Sequence, residues 1–212
     1  LVNKQRFSLF FALIFNFFKE ERLYLCIVFR NCTIIMSFTH LHVHSQYSVL
    51  DGMSKVPDLV EKCLRTGMPA IALTDHGNMY GIKELLDYCK DVNKKRKGKW
   101  EEEQATLAEE ERKPYVPFKP IVGCEAYCAR RGRHSMSGAD KAITGEGREY
   151  IIDRSGWHLI LLAKNMKGYH NLCKIVSAGF MEDAYFYSPR IDKELLEEFH
   201  LLIIQLPLEL YP

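Results

Sequence analysis

Three histidines alternate in the run His40-Leu41-His42-Val43-His44. In extended backbone, residues two apart share a face, so three imidazoles line one side and Leu41 and Val43 pack on the other. Neutral imidazole is the commonest ligand for zinc and its transition-series neighbours, and a rigid strand presets two coordination vectors. A lone histidine there would read as a polar side chain bonded to backbone; an alternating cluster points to a metal. Glu125 lies inside the apolar run Ile121–Tyr127, where an unpaired carboxylate is costly and metal ligation removes the cost. His158 opens the apolar run Trp157–Leu162 in the same manner. Asp75 and His76 directly follow a short apolar strand, the position at which parallel strands deliver side chains to a functional face. Such a turn also serves its own backbone conformation, and Asp51 reads equally as a ligand or as the turn residue before Gly52. A metal held by this set lowers the pKa of its water, which points to hydrolytic chemistry.

Other candidates carry less. His134, His170 and His200 receive no role. Cys124 and Cys128 flank Glu125 and read as small buried apolar residues rather than thiolate ligands. Arg130, Arg131 and Arg133 can touch phosphates, but a solvated loop is the simpler account.

The elements needed to position these groups are legible as periodicities. A strand is predicted over 38–43, and a helix after Pro57 with Leu59, Val60, Cys63 and Leu64 on one face. A second strand covers Ala70–Leu73. A helix follows over about 80–92, burying Ile82, Leu85, Leu86 and Cys89. The basic run 94–99 and the acidic residues 101–111 read as a solvated helical excursion. Strands at 120–127 and 158–163 and helices at 168–177 and 192–199 complete the pattern, with an aperiodic Gly/Ser/Arg loop at 130–148. Alternating strands and helices predict parallel pairing in an α/β fold.

Composition bounds the rest. The chain has 212 residues, 47% of them hydrophobic, with 29 Lys and Arg against 27 Asp and Glu. A net charge of +2 is too small to predict a nucleic-acid or membrane partner from bulk electrostatics. Seven cysteines without a Cys-x-x-Cys pair fit a reducing, cytoplasmic compartment. Residues 1–35 stand apart: they hold seven of the twelve phenylalanines and lack Gly, Pro, Asp and His. Their apolar stretch 7–18 is short for a membrane span of about 20 residues, and no small-residue cleavage site follows. We read 1–35 as upstream translation outside the fold, rather than an anchor, with the protein proper starting at Met36.

Residues 40–52, Leu73–Asn78, Gly123–Tyr127 and His158–Lys164 together resemble the PHP (polymerase and histidinol phosphatase) domain family. More narrowly they resemble the amino-terminal PHP domains of bacterial DNA polymerase III alpha subunits, which Tyr169-His170-Asn171-Leu172 and Ser188-Pro189-Arg190-Ile191-Asp192 also match. The resemblance implies a distorted (β/α)7-type barrel whose strand ends hold up to three divalent metal ions; the histidine and carboxylate donors suit zinc or manganese first, with iron also plausible. It implies the ligands His42, His44, Asp51, His76, Glu125 as a bridging carboxylate, and His158, with no ligand role for His40. The intact parent would be a DNA-directed DNA polymerase, a nucleotidyltransferase acting in the cytoplasm with DNA and other replicase subunits and no membrane. This domain would carry at most a metal-dependent phosphoesterase or 3′-5′ exonuclease site. The alternatives are a stand-alone phosphatase of the histidinol phosphate type and a structural metal-binding barrel. The family pattern breaks off after Phe199, and the charged block 94–113 is longer than many relatives need. The expected layout is therefore a PHP domain over 36–200, truncated before its last strands, and an aberrant tail over 201–212.

Overall fold

A computed structural model describes residues 38–49, 51–143, 145–154 and 156–199, together with the backbone of 203–207. The expected upstream segment 1–35 lies outside the described residues, as does His200. Among the described residues no helix is long and apolar enough to cross a membrane.

The first segment corrects the sequence reading. Residues 38–43 form no regular strand; they make a single bridge, His40 to Ile71. The chain then runs beside the next strand, with Ala72 N–H donating to the His40 carbonyl at 2.9 Å and Thr74 N–H to the Val43 carbonyl at 2.9 Å. Val43 N–H turns instead to the Thr74 hydroxyl at 3.0 Å, so a side chain replaces one ladder bond. Leu41 is consequently exposed rather than packed.

Helix α1 (Val56–Arg65) carries Pro57 in its first turn, where a missing N–H costs nothing, and Asp58 early with Lys62 and Arg65 late, as the helix dipole favours. Strand β1 (Ala70–Leu73) is buried throughout. Helix α2 (Ile82–Ala105) is one continuous element, so the predicted helix, the basic run and the first acidic residues are parts of the same rod, while Glu109–Glu111 form a separate 3-10 turn. Its first half buries Ile82, Leu85 and Cys89 while Leu86 stays exposed. Asn93 brings the chain back: its side chain both donates to the Phe118 carbonyl and accepts from Phe118 N–H, each at 2.8 Å.

Strand β2 (Lys119–Ala129) is the spine. It pairs in parallel with β1 along its first half, and near its end with the short β6 (Arg190–Ile191). Its other edge takes β5 (Gly156–Ala163), which in turn pairs with β7 (Ile203–Pro207). The sheet order is β1-β2-β5-β7, with β6 beside β2. Both β2·β5 and β5·β7 are antiparallel, against the all-parallel expectation. The cause is the connection. Between β2 and β5 the chain makes a small hairpin, β3 (Lys141–Ile143) with β4 (Glu149–Ile151), instead of the crossover helix a parallel pair requires. Strand β7 was not anticipated from sequence. The fold is thus a mixed α/β domain.

Alternation along β2 sorts its faces. Cys124 and Ala126 point into a core with Leu161, Leu172, Ile175 and Ile191, closed by α3 (Met166–Gly179) and α4 (Lys193–Phe199). Beside it Ile71 and Leu73 pack with Val56, Val60 and Leu85 of α1 and α2. The opposite face carries Ile121, Glu125 and Tyr127, with Ala72, Ile160 and Leu162 forming its own buried cluster.

The loop expected to be solvated is instead a framework of arginines. Arg131 grips Asp153 with two bonds, 2.8 and 2.6 Å, and also reaches Asp140; Arg133 pairs with Asp192 at 2.6 Å. Arg130 lies over the rings of Trp157 and Tyr150. Hydrogen bonds from Arg131 hold the Asp153 carboxyl below its usual range, against its burial. A depressed folded pKa supplies stability above the unfolded pKa and loses it as pH falls through the folded value. Asp153→Asn is therefore expected to melt well below the parent at pH 6, with the gap closing as pH drops below about 4. A gap that is independent of pH in parallel urea melts would contradict this.

Candidate metal centre

Five side chains from four segments meet on the face of β2 opposite the helices. His42 and His44 come from the extended strip, His76 from the loop after β1, Glu125 from β2 and His158 from the start of β5. Glu125 is 1% exposed, and its two oxygens face different pairs of histidines. Oε2 lies 2.6 Å from His42 Nε2 and 3.0 Å from His44 Nε2. Oε1 lies 3.1 Å from His76 Nδ1 and is in close contact with His158 Nδ1. The two Nε2 atoms of His42 and His44 are themselves only 2.8 Å apart.

The register explains why these residues converge. Tyr127 faces His158 across the β2·β5 ladder, and directly opposed residues project to the same side. His76 bridges to Glu125 where β1 has left the edge of β2 and before β6 joins it, with Gly77 N–H donating to the Glu125 carbonyl at 2.7 Å. Gly77 has φ +61°, and a Cβ there would come within 2.7 Å of Pro189 Cγ and 2.9 Å of Tyr127 Cε2. The glycine thereby lets the Tyr127 ring stack on His76, 6.1 Å between centroids, and meet His158 edge-on at 5.1 Å.

A second layer orients the histidines. Asp75 is 2% exposed and accepts from Ser45 N–H at 2.6 Å, Ser45 Oγ at 2.8 Å and Ser48 Oγ at 2.8 Å. Ser48 has one proton, which Asp75 takes, so its oxygen accepts from His76 N–H at 3.1 Å and from His44 Nδ1 at 2.8 Å. That leaves His44 protonated on Nδ1 and with a free lone pair on Nε2, the atom that faces Glu125. Asp51, 58% exposed at its side chain, sits 2.6 Å from His76 Nε2 and belongs to neither histidine–carboxylate group. Of the six expected ligands, the structure thus gathers five around one point and places Asp51 behind His76.

The electrostatics follow the geometry. Burial alone would raise the Glu125 pKa, but the imidazoles of His158, His44 and His76 crowded against its oxygens outweigh it and hold the carboxyl well below the usual range. The Glu125 carboxylate beside it raises the pKa of His76, against burial, with Asp51 adding to it. Burial first, and the Glu125 charge second, push the Tyr127 phenol up to about 12. Burial likewise raises the thiol of Cys124, whose side chain lies on the opposite face of β2, so it stays a neutral core residue. Cys128 packs partly buried against the same core.

Two polar atoms test whether a cation fits. His76 Nδ1 and Glu125 Oε1 are fully buried without a hydrogen-bonded partner, although they lie 3.1 Å apart. Two groups of His, His and a shared carboxylate, with ligand atoms within 4.8 Å of one another, match the imidazole and carboxylate preferences of zinc and manganese.

Ser45, Ser48 and Tyr127 carried no weight in the sequence reading. Their roles depend on a partner more than 25 residues away, which no local spacing announces. His134 bonds the Asp183 carbonyl at 2.9 Å, away from the cluster, and His170 contacts Tyr169 on α3.

Comparison with known proteins agrees with this geometry. The family model described as "PHP domain" matches residues 40–210. The chain is 38% identical over 164 residues to the DNA polymerase III subunit alpha of Chlamydia pneumoniae, covering 77% of this chain and 10% of that protein. It is 39% identical over 163 residues to that of Treponema pallidum, covering 77% and 11%, and 36% identical over 183 residues to that of Deinococcus radiodurans, covering 82% and 11%. The chain spans about a tenth of the length of these relatives. With a matching family model over most of its residues, and with the histidine–glutamate cluster at the positions that model spans, the chain belongs to the PHP domain family.

Proposed function

We propose that this chain is the PHP portion of a bacterial replicative DNA polymerase III alpha subunit, and that its cluster is a two-ion centre for phosphodiester hydrolysis. The observation that carries the reading is Glu125, a buried carboxylate with each oxygen turned to its own pair of histidines. His42 and His44 would hold one ion, His76 and His158 the other, and Glu125 would join them; Asp51 would enter the set through His76. Zinc and manganese suit these donors best. A divalent ion held there supplies an activated water and neutralises a phosphodiester oxygen. Glu125 keeps its charge across the working pH range, Ser48 holds His44 in the ligating tautomer, and Tyr127, still protonated, packs its ring against His76 and His158.

The whole-protein reading follows from the relatives: a cytoplasmic DNA-directed DNA polymerase working on DNA with other replicase subunits. The domain would run from about residue 36 and be barrel-like, with residues 1–35 outside it. The chain by itself is expected to show at most a phosphoesterase or 3′-5′ exonuclease activity.

Titration of the metal-stripped chain with manganese or zinc is expected to show two equivalents and metal-dependent cleavage of bis(p-nitrophenyl) phosphate. Asp75→Asn is expected to weaken metal affinity about 10- to 100-fold by releasing Ser48 and with it His44. A chain that binds no metal, or an Asp75→Asn variant that binds as tightly as the parent, would overturn the respective assignment.

A further inference from the structure

Next to the cluster, a cavity of 380 Å³ opens between the end of β2, the residues entering β5 and the turn before β6. Tyr127 and His158 form the wall it shares with the cluster; Arg154, Gly156, Tyr187, Ser188 and Arg190 line the rest. Among the described residues no acidic side chain lines it, and two guanidinium groups do. Arg190 is 2% exposed and spends its N–H groups on the carbonyls of Ala184, Ser135, Asp153 and Arg133, so its charge stays at the cavity floor. Arg154 is exposed and lies 4.5 Å over the Tyr187 ring; among the described residues it makes no ion pair.

Tyr187 is unusual in its own right. It is the one non-glycine among the described residues with positive φ, +63°, at the tip of a tight turn closed by the Phe186–Ser188 bridge. The residue is 60% exposed at the cavity mouth, its ring edge-on to Phe186. A glycine would sit there without strain, so the tyrosine holds this conformation at a cost, as residues at ligand clamps do.

An unneutralised cation, an exposed aromatic ring and a candidate metal centre on the shared wall are the three features that a nucleotide needs, since its phosphate is an anion and its base offers a π-face. We propose that this cavity is a nucleotide subsite. It takes the unit of a polynucleotide next to the phosphodiester held at the cluster, with Arg154 meeting that unit's phosphate and Tyr187 stacking under its base. The inference rests on the phosphodiester reading above and adds the residues that would select a nucleotide over a simple phosphate ester.

The test is equilibrium binding of a 5′-fluorescein-labelled hexathymidylate to the full chain, by fluorescence anisotropy in EDTA and again with manganese. Arg154→Gln is expected to weaken binding about tenfold in both conditions. Tyr187→Gly relieves the backbone, keeps the fold, and is expected to weaken oligonucleotide binding about tenfold while leaving competition by inorganic phosphate unchanged. Lys83→Gln, which removes the same charge on exposed α2, is expected to change little. Variants that bind like the parent, an Arg154→Gln effect no larger than that of Lys83→Gln, or a parent that fails to bind the oligonucleotide would each overturn the subsite. The two proposals fail separately. Variant-sensitive binding without metal-dependent cleavage sinks the hydrolytic centre and keeps the subsite, whereas cleavage with variant-insensitive binding does the reverse.

Discussion

Glu125→Gln is expected to abolish both metal equivalents, whereas His42→Ala combined with His44→Ala removes only one. Both oxygens of Glu125 are committed, Oε2 to the His42 and His44 pair and Oε1 to the His76 and His158 pair, so a single neutral amide impairs two sites. The double histidine variant leaves His76, Glu125 and His158 in place. Elemental analysis after dialysis against a limiting chelator reads the counts directly. The same experiment has a stability arm, because coordination free energy adds to folding free energy. Excess manganese is expected to raise the melting temperature of the parent and to leave that of Glu125→Gln nearly unmoved. In the absence of metal the Gln variant should still fold less stably, by about 3–5 kcal/mol, since it removes the one buried anion that offsets the surrounding imidazoles. Retention of either equivalent by Glu125→Gln, or loss of both in the double histidine variant, would show that the carboxylate does not join two sites.

Arg190→Met carries the second large effect, and it acts on the framework rather than the cluster. The guanidinium is buried, and burial lowers its pKa, yet it donates to four carbonyls at 2.5–3.0 Å. Methionine fills much of the volume but leaves those four acceptors without donors, each costing about 1 kcal/mol or more when water cannot replace it. We expect a loss of about 3–5 kcal/mol, a large part of the usual 5–15 kcal/mol for a domain. Arg190→Lys should recover little, because one ammonium cannot reach carbonyls spread from residue 133 to residue 184. Urea melts of both variants beside the parent decide it, and a difference below about 1 kcal/mol would mean that solvent satisfies the carbonyls after all.

Both expectations turn on long-range meetings of residues whose chemistry was visible beforehand. Alternation alone placed His42 and His44 on a common side, and the cost of burying a charge singled out Glu125 within its apolar run. Periodicity located α1, β1, β2, β5 and α3 to within a few residues, because a helix or strand with one buried face must repeat its apolar positions at the matching period. The motif resemblance named the family, which the comparisons show independently.

What only the tertiary structure decided are the pairings. Nothing local says that β5 runs antiparallel to β2, since direction follows from a hairpin inserted where a crossover helix was expected. Extended segment 38–43 did not become a ladder strand, because the Thr74 hydroxyl competes for Val43 N–H. The Arg130–Arg133 cluster read as solvated, and becomes a framework once Asp140, Asp153 and Asp192 arrive from elsewhere in the chain. Asp75 and Ser48, 27 positions apart, acquire their orienting task only when the intervening chain folds back. A sequence determines which groups can bond and which faces must be buried, for these are properties of residue type and spacing. Which donor meets which acceptor across the fold is settled by backbone direction and register, and those are set by packing the whole sheet at once.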